Sequence, residues 1–196
     1  MRFSTMVYYK DTTSTNAKNC LQELLKTTTL IDLLLGTKKT WYEKGYSRKQ
    51  SLQHIVFSGQ VISDGIIEKW DRRCKKDYPL VIEGVWDGEN DNNICSVNYM
   101  RKHFHEPEKV SLEISLTGYE SVIDINKIIK FIIEITRNKE NAFAFINSNG
   151  YWFNERNVFP DRVCVGWMIH LPYTVLPELI PEAAKVVPVV DNGRQK

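Results

Sequence analysis

The hydrophobic positions of this chain change period along its length. Residues 1–10, rich in Val and Tyr, read as a strand. From Ser14 or Thr15 the spacing becomes helical: Ala17, Cys20, Leu21, Leu24 and Leu25 follow the i, i+3, i+4, i+7 rule of one apolar face. The β-branched run Thr27-Thr28-Thr29 weakens this helix, and Gly36 is placed to close whichever helix holds Leu30 to Leu35. Ser47-Arg48-Lys49-Gln50 has the form of a capping box and predicts a short helix there. A further helix is predicted across 58–75, with Ile62, Ile66, Ile67, Trp70 and Cys74 on one side and an unfavourable Gly65 inside it.

The texture then turns to strands. Leu80 to Trp86, Ile94 to Met100 and Val110 to Leu116 are β-prone runs parted by Gly-, Asn- and Pro-containing turns. In the third, Val110, Leu112, Ile114 and Leu116 alternate with Ser111, Glu113 and Ser115, the pattern of a strand with one wet face. The connections are too short for parallel crossovers, so the three runs predict an antiparallel meander. Asp124 reads as the N-cap of a strong helix, with Ile125, Ile128, Ile129, Ile132 and Ile135 facing the core. Ala142 to Ile146 and Val163 to Leu171 are further strands, and prolines at 172, 177, 181 and 188 limit the C-terminal stretch to short elements. The expected fold is α+β: a single domain over 1–196, with an antiparallel sheet packed against several helices that mostly precede it.

Composition narrows the class without naming a function. At 196 residues, with 42% hydrophobic and 11% aromatic content, the chain can bury a core and is no candidate for intrinsic disorder. No apolar run is long enough to span a bilayer, and the first ten residues lack a signal-peptide core, so a cytoplasmic protein is expected. Cys20, Cys74, Cys95 and Cys164 form no C-x-x-C pair and read as small buried hydrophobes.

Catalytic patterns are weak. His103-Phe104-His105 would put two imidazoles on one side of an extended segment, with a further ligand from His54, His170 or Asp87. That is the basis of one alternative, a small metal-dependent hydrolase; the competing reading is a polar turn ended by Pro107. Ser58-Gly59 is not set in G-x-S-x-G, and no phosphate-binding glycine loop occurs. Asp87-Gly88-Glu89-Asn90-Asp91 lacks the spacing of a calcium loop.

Charge is segregated although its total is only +2. Residues 36–76 hold ten Lys/Arg and four Asp/Glu, whereas 77–126 hold ten Asp/Glu and three Lys/Arg. Either these are ordinary solvated faces, or the meander offers an acidic surface to a basic partner. The scattered lysines and arginines of 36–76 leave a nucleic-acid-binding module as a second alternative. Aromatic residues add another hint. Gly150-Tyr151-Trp152-Phe153 follows Asn147-Ser148-Asn149, and three consecutive large rings cannot all point inward from one loop. They are either interface anchors or a lid over the core. Trp86 at the head of the acidic turn is either a core plug or an interface knob.

Three segments, in order, resemble one family. Trp41-Tyr42-Glu43-Lys44-Gly45-Tyr46-Ser47-Arg48-Lys49-Gln50-Ser51-Leu52 follows an amphipathic helix, and Trp86-Asp87-Gly88 ends a strand as a W-x-G motif. Val165-Gly166-Trp167-Met168-Ile169-His170-Leu171-Pro172 with Leu176-Pro177-Glu178 closes the series. Together they resemble the bacterial immunity protein 52 family of polymorphic-toxin systems. That resemblance implies an α+β protein without catalytic residues or cofactor. Its partner would be a cognate toxin, a restriction-endonuclease-like DNase of a type VI secretion system, with no direct contact to nucleic acid or membrane. The residues expected to meet the toxin are Trp86, Asp87, Glu89, Asp91, Tyr151 and Trp152.

Overall fold

The computed structural model describes residues 2–13, 16–90, 92–102, 109–119, 121–148, 167–176, 178, 180–181 and 183–189. The elements run β1 (Arg2–Lys10), α1 (Ala17–Leu35), β2 (Thr40–Glu43), α2 (Arg48–Ser51), β3 (Ile55–Ser58), β4 (Val61–Ile62), α3 (Ile66–Asp77) and β5 (Leu80–Trp86). They continue with β6 (Cys95–Lys102), β7 (Lys109–Thr117), α4 (Ile125–Thr136), β8 (Glu140–Ser148) and β9 (Met168–His170). The strands form one sheet in the order β4-β3-β2-β5-β6-β7-β1-β8-β9, and each neighbouring pair is antiparallel. The α+β class and the β5-β6-β7 meander expected from the sequence are both present.

The helices begin and end where local chemistry tells them to. Asn16 caps α1 by accepting the Asn19 N–H at 2.8 Å, and Asp124 caps α4 by accepting those of Asn126 and Lys127 at 2.8 and 2.9 Å. The Ser47 hydroxyl accepts the Gln50 N–H at 3.3 Å and starts α2. Gly36, at φ 69°, closes α1 in the left-handed conformation that costs a glycine nothing. The threonine run does not interrupt α1, because Thr27 and Thr28 are buried and their hydroxyls donate to the Glu23 and Leu25 carbonyls of the preceding turn. Tertiary burial here outweighs a helix preference of only tenths of a kcal/mol per residue. In α4 the buried positions are Ile128, Phe131, Ile132, Ile135 and Thr136, whereas Ile125, expected to face the core, is exposed in the first turn.

Two expectations need correction. The helix predicted over 58–75 begins only at Ile66, and residues 55–62 form the β3-β4 hairpin around Gly59-Gln60. Ile62 is helix-spaced with Ile66, but Ile55, Val56 and Phe57 are β-prone and Ser58 pairs directly with Val61 across a two-residue turn. Nor do the helices precede the sheet: β1 inserts between β7 and β8 with pairs from Arg2↔Thr117 to Lys10↔Lys109, and β2 to β4 lie between helices in sequence.

All three long helices cover one face of the sheet. α1 lies between α3 and α4 and rests on β5 and β6, while α4 rests on β8. Beneath them Val7, Val85, Val97, Leu112, Ile114 and Ile146 fill the core with Trp41 and Trp70. Arg101 is fully buried on this side, where its guanidinium donates to the Asp11 carboxylate at 3.0 Å and to the carbonyls of Asp11 and Thr13. It thereby pins the β1–α1 connection. No helix among the described residues is long and apolar enough to cross a membrane.

Candidate functional site

Trp86-Asp87-Gly88 ends β5, and alternation sends its first two side chains to opposite faces of the sheet. Trp86 pairs with Tyr42 on the face away from the helices, ring centroids 6.5 Å apart, and is 9% exposed. Asp87 turns inward. Gly88 sits at φ 75°, and a Cβ there would lie 2.7 Å from the Tyr42 ring and 2.9 Å from Leu52. Its carbonyl accepts from the Arg48 guanidinium at 3.0 Å, so the motif joins the end of β5 to β2 and α2. Of the two readings of Trp86, the geometry is that of a plug.

The Asp87 carboxylate is fully buried and pairs with Lys39 Nζ at 2.8 Å. Lys39 also lies over the Tyr119 ring, and the Tyr119 hydroxyl donates to Asn93 O at 3.2 Å and to Asp87 at 3.4 Å. Burial alone would lower the Lys39 pKa, but its hydrogen bonds with Asp87 and Tyr119 raise it above the ordinary lysine value. Burial pushes the neighbouring Cys95 thiol and Tyr119 phenol up to about 12. None of these three groups supplies a base or nucleophile near neutral pH, and Asp87 is spent on an internal ion pair rather than on an acidic surface.

A second network ties α3 to the sheet. Glu43 accepts from Lys69 at 2.5 Å, from the Trp70 indole at 2.9 Å and from Arg73 at 2.6 Å. Arg73 also reaches Glu83 at 2.6 Å. The two carboxylates are therefore tuned apart. Burial would raise Glu43, but its hydrogen bonds from Lys69 and Trp70 and the Arg73 charge lower it. Glu83 is pushed up to about 7, first by burial and then by the Glu43 charge, against the pull of Arg73. Cys74 beside them is raised to about 11 by burial. Cys20, Cys74 and Cys95 are buried free thiols, as their sequence context suggests.

The face of the sheet opposite the helices carries a different set. Read across the register, Gly84, Asn98, Glu113, Met6, Phe145 and Ile169 stand side by side on six consecutive strands. Lys44 lies over Gly84 and donates to Asn98 at 2.5 Å, and Asn98 donates to Glu113 at 2.9 Å. The next row is Ile82, Met100, Ser111, Tyr8 and Phe143. Tyr8, Phe143 and Phe145 cluster with ring centroids 6.0 to 6.3 Å apart. Ile82 is 59% exposed, Tyr8 38% and Ile169 36%, so apolar side chains of both rows are open to solvent among the described residues, interrupted by the polar Lys44–Asn98–Glu113 line and by Ser111. On one side a row of Trp86, Ser96, Ser115, Ser4 and Asn147 bounds this band; on the other stand Lys102, Lys109 and Lys10.

No protein-family model, curated protein or solved structure matches the chain.

Of the six residues expected to meet a partner, Trp86 and Asp87 are thus buried, and only Glu89 among those described is exposed. Asp91, Tyr151 and Trp152 lie outside the described residues, as do His103 and His105. Asp87, named as a further metal ligand, is committed to Lys39, and no group of three or more His, Cys, Asp or Glu among the described residues could hold a metal ion. The open band was not singled out by sequence reasoning, although a signal exists. In Ala142-Phe143-Ala144-Phe145-Ile146 the small residues alternate with large ones, and the alanines are the side facing the sheet's helix layer.

Proposed function

We propose that this chain is an immunity protein: a cytoplasmic protein that binds and neutralises a cognate secreted toxin, a restriction-endonuclease-like DNase of a type VI secretion system. The observation that carries this reading is the sheet face that the described helices leave open, where aromatic, Met and Ile side chains stand beside the polar Lys44–Asn98–Glu113 line. Apolar centre and polar rim is the anatomy of a protein–protein interface, and aromatic and Met residues are the types enriched in such centres. The long helices among the described residues, α1, α3 and α4, lie on one side of the sheet and leave the other side free of them for a partner. Support also comes from the three segments that resemble immunity protein 52, of which Trp86 and Gly88 act locally as structural residues.

Neutralising a toxin that kills at a few copies per cell calls for nanomolar affinity, about −12 kcal/mol. An interface of roughly 1,600 Å² with a few buried anchors achieves this. The test is co-expression with the protein encoded by the neighbouring reading frame. Rescue of growth, with a stoichiometric complex on gel filtration, is expected. Continued killing with no complex would refute the proposal.

A further inference from the structure

From the cross-strand register we infer that the toxin presents a line of carboxylates beside an apolar centre, and that Lys10, Lys102 and Lys109 receive that line along the lower edge of the open face. The inference rests on the immunity reading and specifies its partner. Lys10 stands directly opposite Lys109, and Lys109 directly opposite Lys102, on three adjacent strands, while on its other side Lys10 faces Glu140 of β8 without an ion pair to it. With strands about 4.8 Å apart, three ammonium-bearing residues fall within roughly 10 Å. Like charges directly opposed across strands destabilise a sheet. No ion pair joins any of the three to a carboxylate among the described residues, whereas the interior cations Lys39, Arg73 and Arg101 are all paired. Lys102 and Lys109 are exposed and Lys10 half-buried. Their Cα positions are one pleat from Met100, Ser111 and Tyr8, so the charged row runs along the apolar band.

A lysine row whose two like-charge pairs are offset only at its Glu140 end, and which borders apolar side chains, is complementary to an acidic partner. The pairing is opposite in sign to the one the charge count over 77–126 suggests: Glu83 and Asp87, two of that segment's acids, are turned inward, and Glu113 on the open face accepts from Asn98. A partner protein is favoured over single-stranded nucleic acid. Tyr8, Phe143 and Phe145 pack against one another, and aliphatic Ile82, Met100 and Met6 complete the band, where a base-stacking platform needs separate exposed rings.

The experiment uses the full chain and the purified product of the neighbouring reading frame. Association is followed by stopped flow from low to high salt for wild type, Lys10→Glu/Lys102→Glu/Lys109→Glu and the matching Gln triple variant. The Glu variant should associate at least tenfold more slowly at low salt, with the Gln variant between them and the difference vanishing as salt rises. Thermal melting checks folding: the Gln triple variant should melt no lower than wild type, because a repulsion is removed, whereas the Glu variant keeps a like-charge row and is assayed below its own melting temperature. A tight wild-type complex with equal rates for all three proteins overturns the inference and leaves the immunity reading standing. No complex with wild type overturns both. Saturable binding of a single-stranded oligonucleotide lost in the Glu variant, or a wild-type homodimer lost on Phe145→Asp, would also overturn it by identifying another occupant.

Discussion

Lys39 Nζ lies 2.8 Å from Asp87 Oδ2, with side-chain exposures of 10% and 0%. The pair links the chain entering β2 to the end of β5, and removing one member strands a charge out of water. Asp87→Asn should cost about 3 kcal/mol in urea unfolding, as expected for one half of a buried pair. Lys39→Met combined with Asp87→Asn should cost clearly less than the two single changes summed. Additivity of the cycle would show that the two charges do not interact.

Gly88 and Gly36 share a left-handed φ, 75° and 69°, but not their surroundings. A Cβ at Gly36 meets nothing within 4 Å, while one at Gly88 overlaps the Tyr42 ring. Gly36→Ala should therefore cost about 1 kcal/mol, the conformational term alone. Gly88→Ala adds steric overlap and should cost at least about 2 kcal/mol more. Equal losses by chemical denaturation would mean that Tyr42 moves aside freely.

What the sequence made legible was periodic or capped. The Asp124 and Ser47 caps and the closing Gly36 appear as predicted, and the alternation of Val110 to Leu116 does so from Leu112 onward, Ser111 being buried. Isoleucine spacing from Ile62 onward extended α3 too far back, because two residues of a strand also fit a helical interval. Strand β2 was hidden in Thr40-Trp41-Tyr42-Glu43, a run too short to show a period. The lysine ladder could not be found from the chain alone, since Lys10 and Lys109 are 99 residues apart and meet only through the register of β1 with β7. The inward turn of Asp87 and Glu83 was hidden for the same reason: their partners Lys39 and Arg73 come from other elements.

The raised pKa of Glu83 makes stability fall with rising pH. Its folded value is about 7 against an ordinary 4.5, so between these limits the folded state holds more protons than the unfolded one. That contribution is complete below about pH 4.5 and is lost as pH rises through 7. The slope should approach 1 kcal/mol per pH unit within the window, toward the limit of about 1.4 for one proton. Glu83→Gln should flatten it, so the variant gains on wild type from pH 5 to pH 8. Parallel curves for the two proteins in denaturant melts at several pH values would refute the assignment.

Arg101 holds the link between β1 and α1 from below, through the Asp11 carboxylate and two carbonyls. Arg101→Met keeps the aliphatic volume but leaves those acceptors without their donor. A loss of about 2 kcal/mol is expected, since three part-buried hydrogen bonds from a charged donor are removed. Limited proteolysis should find new cleavage within residues 11–16. An unchanged digestion pattern with a large stability loss would place the damage elsewhere in the core.

Phe145 and Ile132 separate folding from recognition. Ile132 is 4% exposed beneath α4, and Ile132→Ala should cost about 2 to 5 kcal/mol through transfer and cavity terms. Phe145 is half-buried on the open face, with Tyr8 and Phe143 as its ring neighbours, so Phe145→Ala removes a smaller share of buried area and should cost about 1 kcal/mol. If the band docks the toxin, the order reverses in binding. Phe145→Ala should speed dissociation at least tenfold, the loss of an anchor worth more than about 1.4 kcal/mol, while Ile132→Ala, assayed below its melting temperature, should leave dissociation unchanged. Dissociation slowed or untouched by Phe145→Ala, with rescue of growth intact, would move the docking surface off this face.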